Sequence, residues 1–161
     1  MMRKAVVPFL LAALAACGNT KIIYLQSGEN LNPDPGTKAP TSVKVKVYQL
    51  INKDKFETAD FDQVWDNPKE ALEGDLASDT IVTKDATPRP KGTKAIEIEV
   101  PFVEEKGLDA RTHFFGVAVL FNPPPDFKTE GKGDWKKCVA LDEWSDWVFL
   151  MDQYGVERKE R

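Results

Sequence analysis

Val43-Lys44-Val45-Lys46-Val47-Tyr48-Gln49-Leu50 opens with a strict alternation of apolar and charged residues. A period of two places successive side chains on opposite faces of a strand. Val43, Val45 and Val47 therefore share one face, and Lys44 and Lys46 share the other. Ile96-Glu97-Ile98-Glu99-Val100 repeats the pattern with acidic residues outside. If the two strands are neighbours, Lys44 and Lys46 face Glu97 and Glu99. Such cross-strand pairs contribute about 0.2–1 kcal/mol each.

Outward from these two segments the chain reads as strands separated by turns. Lys21 to Gln26 is a short apolar run, a first strand. Asp79 to Lys84 is a short strand candidate, followed by a Pro/Gly loop at Thr87 to Gly92. Pro101 to Ala110 is a polar turn region. His113 to Asn122 is continuously apolar and rich in Val and Phe, which suits a central strand buried on both faces. Gly116 within it predicts a bulge or a close backbone approach. Pro123-Pro124-Pro125 ends the strand, and Lys128 to Asp134 is a Gly/Lys loop. Trp135 to Leu141 and Trp147 to Tyr154 complete the set, and the charged tail Glu157 to Arg161 is expected to fray. About seven strands, turn signals between them and no βαβ alternation predict an all-β antiparallel sandwich.

One segment has a helical texture. Phe61, Val64 and Trp65 follow the i, i+3, i+4 spacing of one helical face. Asn67-Pro68-Lys69-Glu70 offers a cap, a proline at the first helical position and an acid at the third. Ala71, Leu72 and Leu76 continue this second short helix. The expectation is a two-helix insertion at about 56–77, with Phe61 and Trp65 packed on the sandwich; the alternative makes Trp65 part of an exposed partner site.

Ser27 to Ser42 turns to Pro, Gly, Asn and Asp. Its centre is Asn32-Pro33-Asp34-Pro35-Gly36-Thr37-Lys38-Ala39-Pro40. Three prolines fix φ and remove backbone donors, so this is a loop. It is long for a connection between two strands, and loops of that length are often functional. The competing reading is a plain spacer.

The start of the chain is of another kind. Met1-Met2-Arg3-Lys4 is positively charged, and Ala5 to Ala16 is an apolar run broken only by Pro8. Twelve residues are too few for a membrane-spanning helix, which needs about 20. A charged start, a short apolar stretch and a small-residue exit mark an export signal. Leu14-Ala15-Ala16-Cys17 resembles a bacterial lipobox. In such signals the cysteine thiol receives a diacylglycerol, the peptide is cut before it, and the new amino group is acylated. A plain signal peptide with a chance cysteine is the alternative. One acyl chain holds weakly and several hold firmly. Gly18, where lipoproteins kept in the inner membrane often carry Asp, resembles the pattern sent to the outer membrane. The implied division is 1–16 signal peptide, 17–21 lipidated tether and 22–161 folded domain.

Removing the leader leaves 145 residues, one domain of ordinary size. It carries 20 basic and 26 acidic residues, a formal charge of −6, with no basic cluster of the nucleic-acid-binding kind. An acidic domain does not hold to anionic lipid by charge, which leaves anchoring to the acyl chains. Cys138 would be the one free thiol, in an apolar stretch where a buried inert state is expected. His113 is the only histidine, and no Gly-x-Ser-x-Gly elbow or phosphate loop is present. Zinc needs several Cys or His ligands, and the domain has one free cysteine and one histidine; calcium held by Asp34 and its neighbours is the minor metal reading left open. These observations point away from an enzyme and from any cofactor beyond the N-acyl and S-diacylglycerol groups on Cys17.

Several segments together resemble a known family. They are Val45-Lys46-Val47-Tyr48-Gln49-Leu50, Phe56, Ala59-Asp60-Phe61, Leu72 with Asp75-Leu76, Phe115-Gly116-Val117-Ala118-Val119 before Trp135, and Asn30-Leu31-Asn32-Pro33. In that order they are similar to the TssJ (VasD) lipoproteins of the type VI secretion system. The Pro123-Pro124-Pro125 run and Cys138 depart from the pattern. The resemblance implies a transthyretin-like sandwich with added helices, anchored in the outer membrane and facing the periplasm. It implies binding to the periplasmic domain of TssM within a TssJ–TssL–TssM complex, with no catalytic residue. It implies a contact through the loop between the first two strands, here Asn32 to Pro40. A periplasmic ligand-binding or hydrolytic lipoprotein on the same scaffold is the alternative, and a lipoprotein of an unrelated envelope machine is a third.

Overall fold

The computed structural model describes residues 19–102, 112–125, 135–141 and 143–161. These form eight strands, β1 Asn19–Ser27, β2 Val43–Leu50, β3 Val82–Ala86, β4 Ile96–Phe102, β5 Phe114–Leu120, β6 Lys136–Ala140, β7 Trp147–Asp152 and β8 Gly155–Glu160. Three short helices, α1 Asp54–Thr58, α2 Phe61–Asp66 and α3 Pro68–Ala71, lie between β2 and β3. A single 3-10 turn, Trp144–Asp146, precedes β7. One sheet has the order β4-β1-β7-β8 and the other β3-β2-β5-β6.

The alternation of β2 sets the core. Val43, Val45 and Val47 point into a buried cluster with Ile23, Leu25, Ile98, Val100, Phe149 and Met151 from the facing sheet. Burying each such side chain stabilises the fold by about 1.5–3 kcal/mol. The opposite face of β2 begins with lysines but ends in Tyr48 and Leu50. Those two join a second buried cluster with Phe56, Val64, Leu72, Ala118 and Cys138. β5 lies between the two clusters, and Phe115 to Val119 are all buried, as its continuous apolar run predicts. Gly116 is a close approach: a Cβ there would lie 2.9 Å from Phe56 Cζ and 3.1 Å from Leu50 Cδ1.

Several expectations need correction. β2 and β4 are not neighbours, because β2 pairs with β3 and β5 while β4 pairs with β1 in the other sheet. Lys44 meets Asp85 across β3 at 3.0 Å instead, and Lys46 donates to the Trp65 carbonyl at 2.6 Å. The antiparallel pattern has one exception, the parallel pairing of β1 with β7. The expected helix across Phe56 to Trp65 is two helices. Ala59 and Asp60 are extended, and Asp60 with Gln63 forms a capping box that restarts the chain as α2. Pro68 does begin the next helix, but that helix ends at Ala71, and Leu76 pairs with Leu50. The charged tail is not frayed: it is β8, an edge strand paired with β7 from Asp152↔Gly155 to Trp147↔Glu160. Arg158 and Arg161 cover the rings of Trp147 and Tyr24, which is why charged residues suit this edge. Finally, β1 begins at Asn19, opposite Phe102, so three residues assigned to the tether belong to the sheet. Lys21 already opens the expected strand; Asn19 and Thr20 escape an apolar-run criterion because β1 there is a polar extension.

Candidate partner-binding loop

The pairing registers give the sandwich two poles. β1 ends, β2 starts, β5 ends and β7 ends at one pole, as Ser27↔Met151 and Lys44↔Leu120 show. The connections β1–β2, β3–β4, β5–β6 and β7–β8 all leave from there. Asn19 and the helical insertion leave from the other pole, next to Phe102 and Leu50. The loop singled out in the sequence thus sits about 27 Å, the length of β1, from the start of the folded domain.

Asn32 holds the base of this loop. It is 5% exposed and has a φ of +45°, a conformation Asn tolerates better than most residues. Its amide donates to Thr41 Oγ1 at 2.7 Å and to the Ser42 carbonyl at 3.3 Å. Its Oδ1 accepts from the Asn122 N–H at 2.7 Å. Its own N–H donates to the Gln153 carbonyl at 2.6 Å, and Tyr154 Oη donates to the Pro33 carbonyl at 2.5 Å. Leu31 is fully buried beneath it. One side chain and its neighbours therefore tie together the β1–β2, β5–β6 and β7–β8 connections.

Asp34 organises the tip. Its Oδ1 accepts from the Gly36 N–H at 3.0 Å, the Thr37 N–H at 2.7 Å and the Thr37 hydroxyl at 3.0 Å. The Thr37 contacts above all hold this carboxyl below the usual aspartate range, with Gly36 and the Lys38 charge assisting. The Asp34 N–H donates to the Ala39 carbonyl at 2.9 Å, closing the tip, and Lys38 takes a positive φ of 62°. Pro33, Asp34 and Pro35 are half-buried, and Gly36, Thr37, Lys38, Ala39 and Pro40 are exposed. The predicted residues thus divide into a buried base and a presented tip. Asn32, with its side chain committed to Thr41, Ser42 and Asn122, positions the loop. The sequence reading missed Thr41, Asn122 and Tyr154, whose roles depend on contacts up to 121 residues apart.

Cys17 lies outside the described residues. His113 has an exposed side chain, and its backbone joins Leu50 and Leu141. Cys138 is buried, and burial pushes its thiol up to about 12, with Glu57 assisting. It floors a cleft of about 520 Å³ that Lys53, Glu57, Lys136 and Arg158 also line. Phe61 stacks on Trp65 at 5.3 Å and meets Trp135 edge-on at 5.0 Å. Trp65 and Trp135 pack against the second core cluster, so this aromatic group is mainly core. Among the described residues no group of three or more His, Cys, Asp or Glu side chains could hold a metal.

A protein family described as type VI secretion lipoprotein, VasD, EvfM, TssJ matches residues 19–156. No curated protein sequence matches the chain. Among solved structures, the type VI secretion lipoprotein TssJ1 from Pseudomonas aeruginosa is 18% identical with a TM-score of 0.62, covering 89% of this chain and 97% of that one. A chain in the structure of a type VI membrane complex is 22% identical with a TM-score of 0.64, covering 86% and 95%. A chain in the structure of the T6SS protein TssM C-terminal domain from EAEC is 21% identical with a TM-score of 0.61, covering 86% and 98%. At these identities the likeness concerns the sandwich.

Proposed function

The chain belongs to the type VI secretion lipoprotein family that includes TssJ and VasD, and from this premise we propose that it tethers the secretion apparatus to the outer membrane. Acyl chains on Cys17 supply the anchor. The domain faces the periplasm and binds the periplasmic domain of TssM, within a complex that also contains TssL. Chains of similar fold occur in a type VI membrane complex and in a structure of TssM, which supports this partner. The work is tethering, and no step of catalysis is assigned to any residue.

The observation that carries the contact site is the closed tip from Asp34 to Ala39, exposed from Gly36 onward, on its buried Asn32 base. A loop already held by its own hydrogen bonds loses little conformational entropy on binding. Its position at the pole remote from Asn19 also directs it away from the anchored end. The test is a binding assay of Gly18 to Arg161 against the soluble periplasmic domain of TssM. Because Asp34 and Ala39 are already bonded, Pro35 to Lys38 can be replaced by two glycines without opening the base. Saturable binding by the parent and loss of binding by the shortened form is the expected result. Equal affinity in both would remove the loop from the contact and direct attention to the Phe61–Trp65–Trp135 face. Replacing Cys17 with Ser should release a folded domain from the membrane, and continued membrane fractionation would contradict acylation at that residue.

A further inference from the structure

β1 begins at Asn19, and Gly18 alone separates it from Cys17. Two Cα–Cα steps span at most about 7 Å. If Cys17 carries the lipid, as proposed above and as this inference requires, the start of β1 cannot leave the headgroup layer. From the acylated residue and this chain length we infer that the Asn19 pole of the sandwich is clamped against the bilayer surface, with the Lys21–Trp144 pair at headgroup level.

The pole has side chains suited to that position. Lys21 Nζ lies 5.6 Å from the centre of the Trp144 ring, and the 3-10 turn carrying Trp144 packs on β1. Trp144 is half-buried, its body against the first core cluster. Indole rings with a wet edge, and lysines on long apolar stems, are the residues that settle at membrane–water interfaces. Glu143 and Glu160 are also exposed near this pole. Charge therefore does not draw the acidic domain to the membrane, and the short tether holds it there. Further along β1, Arg161 covers Tyr24 and Arg158 covers Trp147. Trp147 is beside Val148, the partner of Tyr24, five residues beyond Asn19. Trp135 is at the opposite pole, next to Lys136, which pairs with Ala118. Trp65 lies there too, its carbonyl bonded to Lys46, which also pairs with Ala118, so Trp144 is nearest the lipid and Trp65 and Trp135 are far from it. The clamp fixes orientation as well as height: the tip at 34–39 faces the periplasm about 27 Å away, the length of β1.

The test uses the full acylated chain in vesicles of phosphatidylethanolamine and phosphatidylglycerol that contain a headgroup-nitroxide lipid. The quenchable part of the tryptophan emission is compared among the parent, Trp144→Phe and Trp65→Phe. Trp144→Phe should lose most of the quenchable emission, and Trp65→Phe should lose none of it. A second form leaves the domain untouched and inserts about 20 glycine and serine residues between Gly18 and Asn19, a reach of about 25 Å. Quenching should disappear in that form while membrane attachment persists. Attachment without preferential quenching of Trp144, or quenching that survives the spacer, overturns the clamp and leaves the anchor standing. A chain recovered in the soluble fraction with an unmodified thiol at Cys17 overturns the acylation and the clamp together.

Discussion

Replacing Asn32 tests whether the β1–β2 loop is a preset structure or a passive spacer. Asn32→Ala removes three hydrogen bonds, to Thr41 Oγ1, the Ser42 carbonyl and the Asn122 N–H. Each contributes about 1 kcal/mol net, the 3.3 Å contact to Ser42 less than the two at 2.7 Å. Alanine must also keep a φ of +45°, which costs about 1–2 kcal/mol that Asn or Gly largely avoids. The sum is about 3–5 kcal/mol for a residue that is 5% exposed. Asn32→Gly should cost about 1 kcal/mol less, since it escapes the left-handed penalty alone. Asn32→Asp keeps the oxygen that Asn122 uses and tolerates the backbone, but it sets a buried carboxylate oxygen against the Ser42 carbonyl in place of a donor, so it should cost at least as much as Asn32→Gly. The assay is urea unfolding of Gly18 to Arg161 with hydrogen exchange at Thr41 and Asn122, alongside TssM binding. Affinity should fall with the Asn32→Ala loop disordered, although the side chain itself faces inward. An Asn32→Ala domain as stable as wild type within about 0.5 kcal/mol, with protected Thr41 and Asn122 amides, would refute the reasoning, since surface changes away from such features have effects of that size.

Gly116→Val should destabilise the domain by about 1–3 kcal/mol, because the new Cβ meets Phe56 Cζ at 2.9 Å; an unchanged urea midpoint would mean that Phe56 moves aside at no cost. Cys138, with its thiol pushed up to about 12, should resist iodoacetamide at pH 8 in the folded domain and react in urea; rapid labelling of the native state would contradict its burial. Asp34 has a carboxyl lowered in the folded loop, so its contribution is complete above the unfolded value of about 3.9 and is lost as pH falls through the lower folded value. Protection of the Thr37 amide, taken against its intrinsic exchange rate at each pH, should therefore fall in acid below that range, and Asp34→Asn should remove that fall; a loss of protection that Asp34→Asn leaves unchanged would assign it elsewhere. The exposed Lys44–Asp85 pair should show a coupling of no more than about 1 kcal/mol in a double-mutant cycle, and Lys46 with Glu97 should show none.

Strands whose burial follows a local period are legible in the chain alone. The valines of β2 and the continuous apolar run of β5 announce which faces are covered, because strand side chains alternate whatever the neighbours are. The chain also marks Gly116 as a tight site, Pro68 as a helix start and the Pro-rich loop as a loop, since Gly and Pro restrict the backbone at their own positions. Which strands pair is set by the packing of whole sheets. Lys46 and Glu97 have complementary charge, but an exposed ion pair contributes too little to choose a neighbour against the burial of whole sheet faces. The same holds for Asn19 to Lys21 and for β8, polar segments that become strands because β4 and β7 offer them partners. The loop was legible as a candidate from its prolines. Its division into an inward Asn32 base and an exposed tip was not, because the atoms that latch it come from Thr41, Asn122, Gln153 and Tyr154, brought together by the closing of four connections at one pole.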